Sequence, residues 1–411
     1  MVLNKILTAG LAALLAGAAM AAPIVIESQG SFTVGGRYVQ HEGTFSQENF
    51  VAPDGQRAYG DFAYVQYQIP HQARKLPLIF QHGGAQSKRT WESSPDGREG
   101  FSTLFLRAGY SVYLLDQPRS GESNLTTQAI TPDTPWVSNP MYGDKTLYVL
   151  SRIGHFNEKG EPVPNEQFPA GESNYQAFQQ SWTAGSGPLD NDLNAKVLAK
   201  LVDQLKDGGI LVTHSMGGTI GWRAAILSDK VKGIIAYEPG GTPFIFPKTE
   251  MPRITEARFK ALSASAKGVP LKDFLKLTRM PIVLYYGDHI QVGSANVGED
   301  KWGTELAMAK QFVEAINRHG GDAVLVHLPE IGIKGNSHFL MQEKNNKEIM
   351  KLALACATNA MSLIWLIFIL RCGEYLYCSL CFVFLWPLRY VPVQYFQFSL
   401  IWLRFHPGLF G

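Results

Sequence analysis

The sequence predicts an α/β protein, a doubly wound and mostly parallel sheet with inserted cap segments, and three observations predict it. Short β-branched runs alternate with helical patterns through the middle of the chain. Most of those runs stop at Gly, Pro, Asp or His, as buried parallel strands do where they pass into loops. Of the 411 residues, 45% are hydrophobic and 18% charged, enough to build a core and too apolar for a disordered chain or a coiled coil.

The strand-like runs are residues 64–69, 76–81, 111–116, 209–213, 233–237, 281–286 and 323–328, and the helical patterns are 101–108, 192–205, 218–228, 305–318 and 343–355. Alternation of this kind covers both faces of a parallel sheet and puts function beyond the carboxyl ends of the strands. Residues 124–189, rich in Pro, Gly and aromatics, and residues 240–277 fit no strand or helix slot. They read as cap insertions over the site, where substrate selection would lie.

The two ends read differently from the body. Residues 1–21 carry one cation, Lys5, an apolar run from Ile6 to Ala19, and small residues at Ala19 and Ala21 around Met20. That pattern predicts a signal peptide cut after Ala21 or Ala22, and so export to a periplasm or the medium. The run is too short for a membrane span. Residues 356–411 hold all four cysteines (Cys356, Cys372, Cys378, Cys381), three of the eight tryptophans and only four charged side chains. Arg371, Cys372, Gly373 and Glu374 split the apolar part into runs too short to span a bilayer singly. The tail reads as a segment foreign to the parent fold, with a membrane anchor and a buried extension as alternatives. Any membrane contact would be through this tail alone.

Between the ends, residues 22–355 hold 33 basic and 34 acidic side chains. Recognition driven by phosphate neutralisation needs a basic surplus, so nucleic acid is not an expected partner and a small molecule is. This body has no cysteine, hence no disulfide framework. It also has no metal-ligand spacing and no phosphate-binding loop, and no cofactor or metal is expected.

Residues 209–218, Gly-Ile-Leu-Val-Thr-His-Ser-Met-Gly-Gly, are a strand entering a tight turn and then a helix. A serine at such a turn is held in a strained conformation with its hydroxyl exposed at the helix amino terminus, and this assigns Ser215 as nucleophile. Thr213 stands where the usual pattern has its first glycine. The oxyanion hole is expected from the backbone N–H of Met216 and of Gly84, or its neighbour Ala85, where the strand Ile79-Phe80-Gln81 runs into His82-Gly83-Gly84. The base is expected after the last strand, which selects His338 and implies activity rising with pH near neutrality. His82 and His214 flank the site and are expected to make structural hydrogen bonds. His327 sits within a strand, and His41, His71, His155 and His319 lie away from the functional edge. Two carboxylates can orient His338: Asp288, ending one strand, and Glu238, ending the strand before it.

Those residues carry a resemblance. Thr213-His214-Ser215-Met216-Gly217-Gly218, Glu238-Pro239-Gly240-Gly241, Tyr286-Gly287-Asp288 and Gly335-Asn336-Ser337-His338-Phe339, with Thr90-Trp91-Glu92 and Pro95-Asp96-Gly97-Arg98 upstream, resemble secreted bacterial esterases of the α/β-hydrolase superfamily over roughly residues 30 to 350. The resemblance implies an α/β-hydrolase fold and a triad acid that is a glutamate after the sixth strand, which falls on Glu238. Some members carry paired cysteines beside the oxyanion-hole glycine, where this chain has Gly84 and Ala85. The expected activity is serine hydrolysis of a small-molecule carboxylic ester through an acyl-enzyme. A carbon–carbon or amide hydrolase with the same triad, or a non-catalytic binding protein on this fold, is the alternative.

A protein of residues 22–355 alone should fold and stay soluble, because it holds every assigned site residue and the last helical pattern. Size-exclusion chromatography and circular dichroism check this. Aggregation of the shortened chain would show that the tail packs against the body.

Overall fold

The computed structural model describes residues 22–123, 125–127 and 143–357, all within the first of the two units into which the chain divides, Met1–Met361. The expected signal peptide, residues 358–411 of the tail, and the parts of the first insertion at 124 and 128–142 lie outside the described residues.

The strands in chain order are β1 (Ile26–Gln40), β2 (Arg57–Pro70), β3 (Leu78–Gln81), β4 (Val112–Asp116), β5 (Gly154–Phe156), β6 (Pro162–Pro164), β7 (Gly209–His214), β8 (Val231–Tyr237), β9 (Phe244–Pro247), β10 (Ala266–Val269), β11 (Pro281–Tyr286) and β12 (Asp322–His327). Eight of them form one sheet in the order β1-β2-β4-β3-β7-β8-β11-β12. β1, β2 and β4 pair antiparallel, and every pair from β4 to β12 is parallel. The central strands are buried along their whole length because helices cover both faces, which is why they read as continuous apolar runs. Helices Phe101–Arg107, Asn191–Gln204, Gly217–Leu227, Val297–Arg318 and Asn346–Ala357 provide that cover. The architecture is an α/β-hydrolase fold with cap insertions.

Several boundaries differ from those expected. β1 was not anticipated: it is mostly exposed, lacks apolar alternation, and is interrupted by Gly35 and Gly36 with φ of 82° and 85°. The long helix starts at Val297 rather than 305, because the Asn296 side chain accepts from the N–H groups of Gly298 and Glu299 at 2.9 and 3.3 Å and caps it there. The last helix starts at Asn346, after a 3₁₀ turn at Leu340–Gln342.

The insertions are not free of regular structure. The first contains helices Asp144–Leu150 and Glu172–Gln180 and the β5–β6 hairpin, and the second contains the parallel pair β9–β10 and the short helix Leu271–Phe274. Their elements are of three to nine residues, too short for periodicity to reveal them.

Candidate active site

β7 ends in the turn that carries Ser215, whose φ is +54°. For a residue with a Cβ that conformation costs on the order of 1–3 kcal/mol. The surroundings hold it: Ser215 N–H donates to the Tyr237 carbonyl at 3.0 Å, and the Ser215 carbonyl accepts from Gly218 and Gly240 N–H at 3.0 and 3.2 Å. Close packing explains the neighbouring glycines. A Cβ on Gly217 would stand 2.7 Å from the His82 carbonyl oxygen, and one on Gly83 would stand 2.9 Å from the Ser215 Cβ. Thr213 is tolerated in place of the usual glycine because its methyl faces Gly221 on the following helix, where a Cβ would meet it at 2.9 Å.

The loop after β3 passes directly beside this turn. A Cβ on Gly84 would crowd the Met216 thioether and displace that side chain, and Ala85 has φ of +53°. Met216 opens the helix Gly217–Leu227, so its N–H belongs to the helix end that has no intrahelical acceptor. Gly84, Ala85, Met216, Ser215 and His338 line one cavity of about 240 Å³. Leu147, Leu150 and Trp182, from the first insertion, wall it from above.

Glu238, directly after β8, is buried and also left-handed, with φ of +45°. Its Oε2 lies 2.9 Å from His338 Nδ1, and its Oε1 accepts from Gly287 N–H at 2.6 Å and from Arg152 Nη2 at 2.6 Å. A carboxylate can only accept, so His338 Nδ1 carries the proton and Nε2 keeps its lone pair. Burial opposes the charge on Glu238, but Arg152 and the His338 hydrogen bond outweigh it and hold the carboxyl at about 2. Burial acts in the other direction on His338, favouring the neutral ring against the pull of Glu238 and lowering its pKa to about 4. The near-neutral ionisation expected from sequence is displaced for that reason.

Of the two carboxylates left open by the residues alone, the structure brings Glu238 to His338. Asp288 is occupied elsewhere: Oδ2 accepts from Gly335 N–H at 2.9 Å and Oδ1 from His289 N–H at 2.7 Å, while its own N–H donates to the Asn336 carbonyl at 2.8 Å. It ties down the loop that bears His338. Glu343 grips the same loop, accepting from Asn336 Nδ2 and Ser337 N–H at 2.6 Å each.

Both flanking histidines make the expected structural bonds. His214 Nε2 donates to the His338 carbonyl at 2.9 Å, and His82 Nδ1 lies 2.7 Å from the Gly83 carbonyl oxygen. The His338 ring sits between His214 and Trp302, with centroids 4.4 and 3.9 Å away.

Sequence reasoning missed Arg152 and Trp302. Arg152 is buried, with φ of +53°, and donates through Nε to the Asp288 carbonyl at 3.0 Å as well as to Glu238. Trp302 is fixed by Nε1 donating to the Leu150 carbonyl at 2.8 Å. Neither lies in a motif; only their spatial neighbours mark them. Among the described residues no cluster of three or more His, Cys, Asp or Glu is placed to hold a metal, and no helix is long and apolar enough to cross a membrane.

An elbow serine after the fifth strand of the eight-stranded sheet, with a carboxylate after the sixth and a histidine after the eighth, is the arrangement of an α/β-hydrolase. A model of the alpha/beta hydrolase family matches residues 78–331, and the chain belongs to that family. It is 28% identical over 353 residues to a probable secreted lipase, phiG, of a fungus (Fungal sp., strain ATCC 74256), covering 79% of this chain and 87% of that one. It is also similar to a novel bacterial esterase solved at atomic resolution, with a TM-score of 0.63 and 27% identity over 82% of this chain and 96% of that one.

Replacing Arg152 with Met should destabilise the protein by roughly 3–5 kcal/mol, since it leaves a buried charge without its cation. Folding lowers the Glu238 pKa, so the contribution of this pair is complete above the ordinary carboxylate range and fades as pH falls toward about 2. Urea denaturation at neutral pH measures the loss. An unchanged midpoint would mean that Glu238 is not ionised in the fold.

Proposed function

We propose that this protein is an exported serine hydrolase of small-molecule carboxylic esters, of the secreted bacterial esterase type with its triad acid after strand six. The observation that carries the reading is the 2.9 Å contact between His338 Nδ1 and Glu238 Oε2, with His338 lining the same cavity as a left-handed Ser215. The likeness to a secreted lipase and to a bacterial esterase supports ester chemistry and export. Residues 22–355 form the catalytic domain in this reading, with 1–21 as the leader and 356–411 as an appended tail.

In the proposed mechanism Ser215 Oγ attacks the ester carbonyl while His338 Nε2 takes its proton. Glu238 fixes the ring and stabilises the imidazolium. Met216 N–H, with Gly84 or Ala85 N–H, receives the oxyanion, a contribution of about 3–4 kcal/mol per donor. The alcohol leaves with the proton from His338, and water activated by the same ring releases the acid from the acyl-enzyme.

Ser215→Ala should lower kcat on a short aryl ester by several orders of magnitude and abolish fluorophosphonate labelling, with little change in melting temperature. Glu238→Gln should cost more kcat than Asp288→Asn. Retention of a tenth of wild-type activity in Ser215→Ala would remove the serine from its role, and the opposite ranking of the two acids would move that role to Asp288.

Burial of His338 sets the pH dependence. The base must be neutral, so kcat/KM should rise with pH through an ionisation at about 4 and be level from roughly pH 6 to 8. A pH–rate profile on folded enzyme checks this; an acid limb centred near pH 6.5 or higher would show that the ring is solvated rather than buried.

A further inference from the structure

Among the described residues, the cavity above Ser215 is lined by two cations, Arg119 and Lys301, and by no carboxylate. Arg119 is neutralised by a buried carboxylate: Nε and Nη2 donate to Asp61 at 2.9 and 3.1 Å, and Nη1 donates to the Pro188 carbonyl at 2.9 Å. Lys301 is not. Among the described residues its ammonium has one hydrogen-bond acceptor, Glu305 Oε1 at 3.5 Å, the outer limit of such a bond. That oxygen already accepts from Gly241 N–H at 2.8 Å. The ammonium otherwise lies over the Trp302 ring, 3.7 Å from its centroid.

An ammonium has three donors, and one long bond uses one of them. The Lys301 side chain is 14% exposed, and it lines the cavity, so its free donors have the cavity to serve. Nζ stands 4.0 Å from where a Cβ on Gly241 would be, and the Met216 side chain stands 3.4 Å from the same point. Burial lowers the Lys301 pKa, against the pull of Glu305 and with the help of Arg152, so the ammonium gains most from a second anion nearby.

We propose that Lys301 selects esters that carry a carboxylate, bound at Nζ while the scissile carbonyl lies at Ser215. The inference rests on the ester-hydrolase reading of the same site. A cavity of about 240 Å³ suits short substrates, such as monoesters of small dicarboxylic acids or acetates of carboxylated alcohols.

The full-length protein tests this with two matched pairs. Monomethyl glutarate against methyl pentanoate places the charge on the acyl side. The other pair, 3-carboxyphenyl acetate against phenyl acetate, places it on the leaving group. In wild type the kcat/KM ratio of charged to neutral ester should exceed that of Lys301→Met by about ten-fold in one pair, the worth of a charge-assisted hydrogen bond. Lys301→Arg should keep part of the preference. Free glutarate, but not pentanamide, should inhibit phenyl acetate hydrolysis by the wild-type enzyme competitively, a measurement that does not depend on any variant folding. Equal ratios in wild type and Lys301→Met, or no inhibition by glutarate, would overturn the selection while leaving ester hydrolysis standing. Failure to hydrolyse all four esters, with no fluorophosphonate labelling of Ser215, would overturn the ester reading and this inference with it.

Discussion

Glu238 is buried and ionised, and a lone carboxylate taken out of water costs several kcal/mol. Three donors offset that cost: the Gly287 N–H, the Arg152 guanidinium and the His338 ring. Each comes from a different part of the chain, so the charge on one side chain gathers the end of β11, the first insertion and the loop after β12. Arg152 then binds the Asp288 carbonyl, and the Asp288 side chain holds Gly335, which extends the network to the base of the His338 loop. Any substitution that neutralised Glu238 would therefore loosen more than one contact.

The strain in the site follows from the same arrangement. Ser215 and Glu238 both sit at positive φ at the ends of adjacent strands, and the two turns brace each other through the Ser215–Tyr237 and Gly240–Ser215 backbone bonds. Parallel pairing of β7 with β8 fixes their spacing. This is why the nucleophile turn has to follow a buried central strand, and why its neighbours are glycines wherever the oxyanion loop or the helix comes close.

The sheet was largely legible in the sequence because its central strands are short, β-branched and bounded by turn residues. β1 was not, because an exposed edge strand needs no apolar pattern and this one is broken by two glycines. Ser215 and His338, the candidate nucleophile and base, were singled out by chain order and local motif, and the structure brings both to one cavity. The choice between Glu238 and Asp288 could not be made from the residues, since both end strands on the same edge, and only resemblance favoured Glu238. Arg152 was illegible for a physical reason: a buried cation is recognised by the anion it meets, and that anion is 86 residues away. Burial also displaced the His338 ionisation, a consequence of packing that no local pattern reveals.

The first insertion was expected to be a lid, a segment that covers the site and selects the substrate. Its bonds give it a second role. The Ser151 carbonyl accepts from the His338 N–H at 2.9 Å, the Leu150 carbonyl from Trp302 Nε1 at 2.8 Å, and Arg152 neutralises Glu238. Three consecutive residues thus position the histidine backbone, the indole ring that lies against the histidine, and the carboxylate bonded to it. Leu147 and Leu150, from the same stretch, face the cavity. The shape of the cavity and the geometry of the candidate triad are coupled through residues 147–152, so the part of the insertion that lines the pocket cannot be exchanged without disturbing the charge that the site is built around.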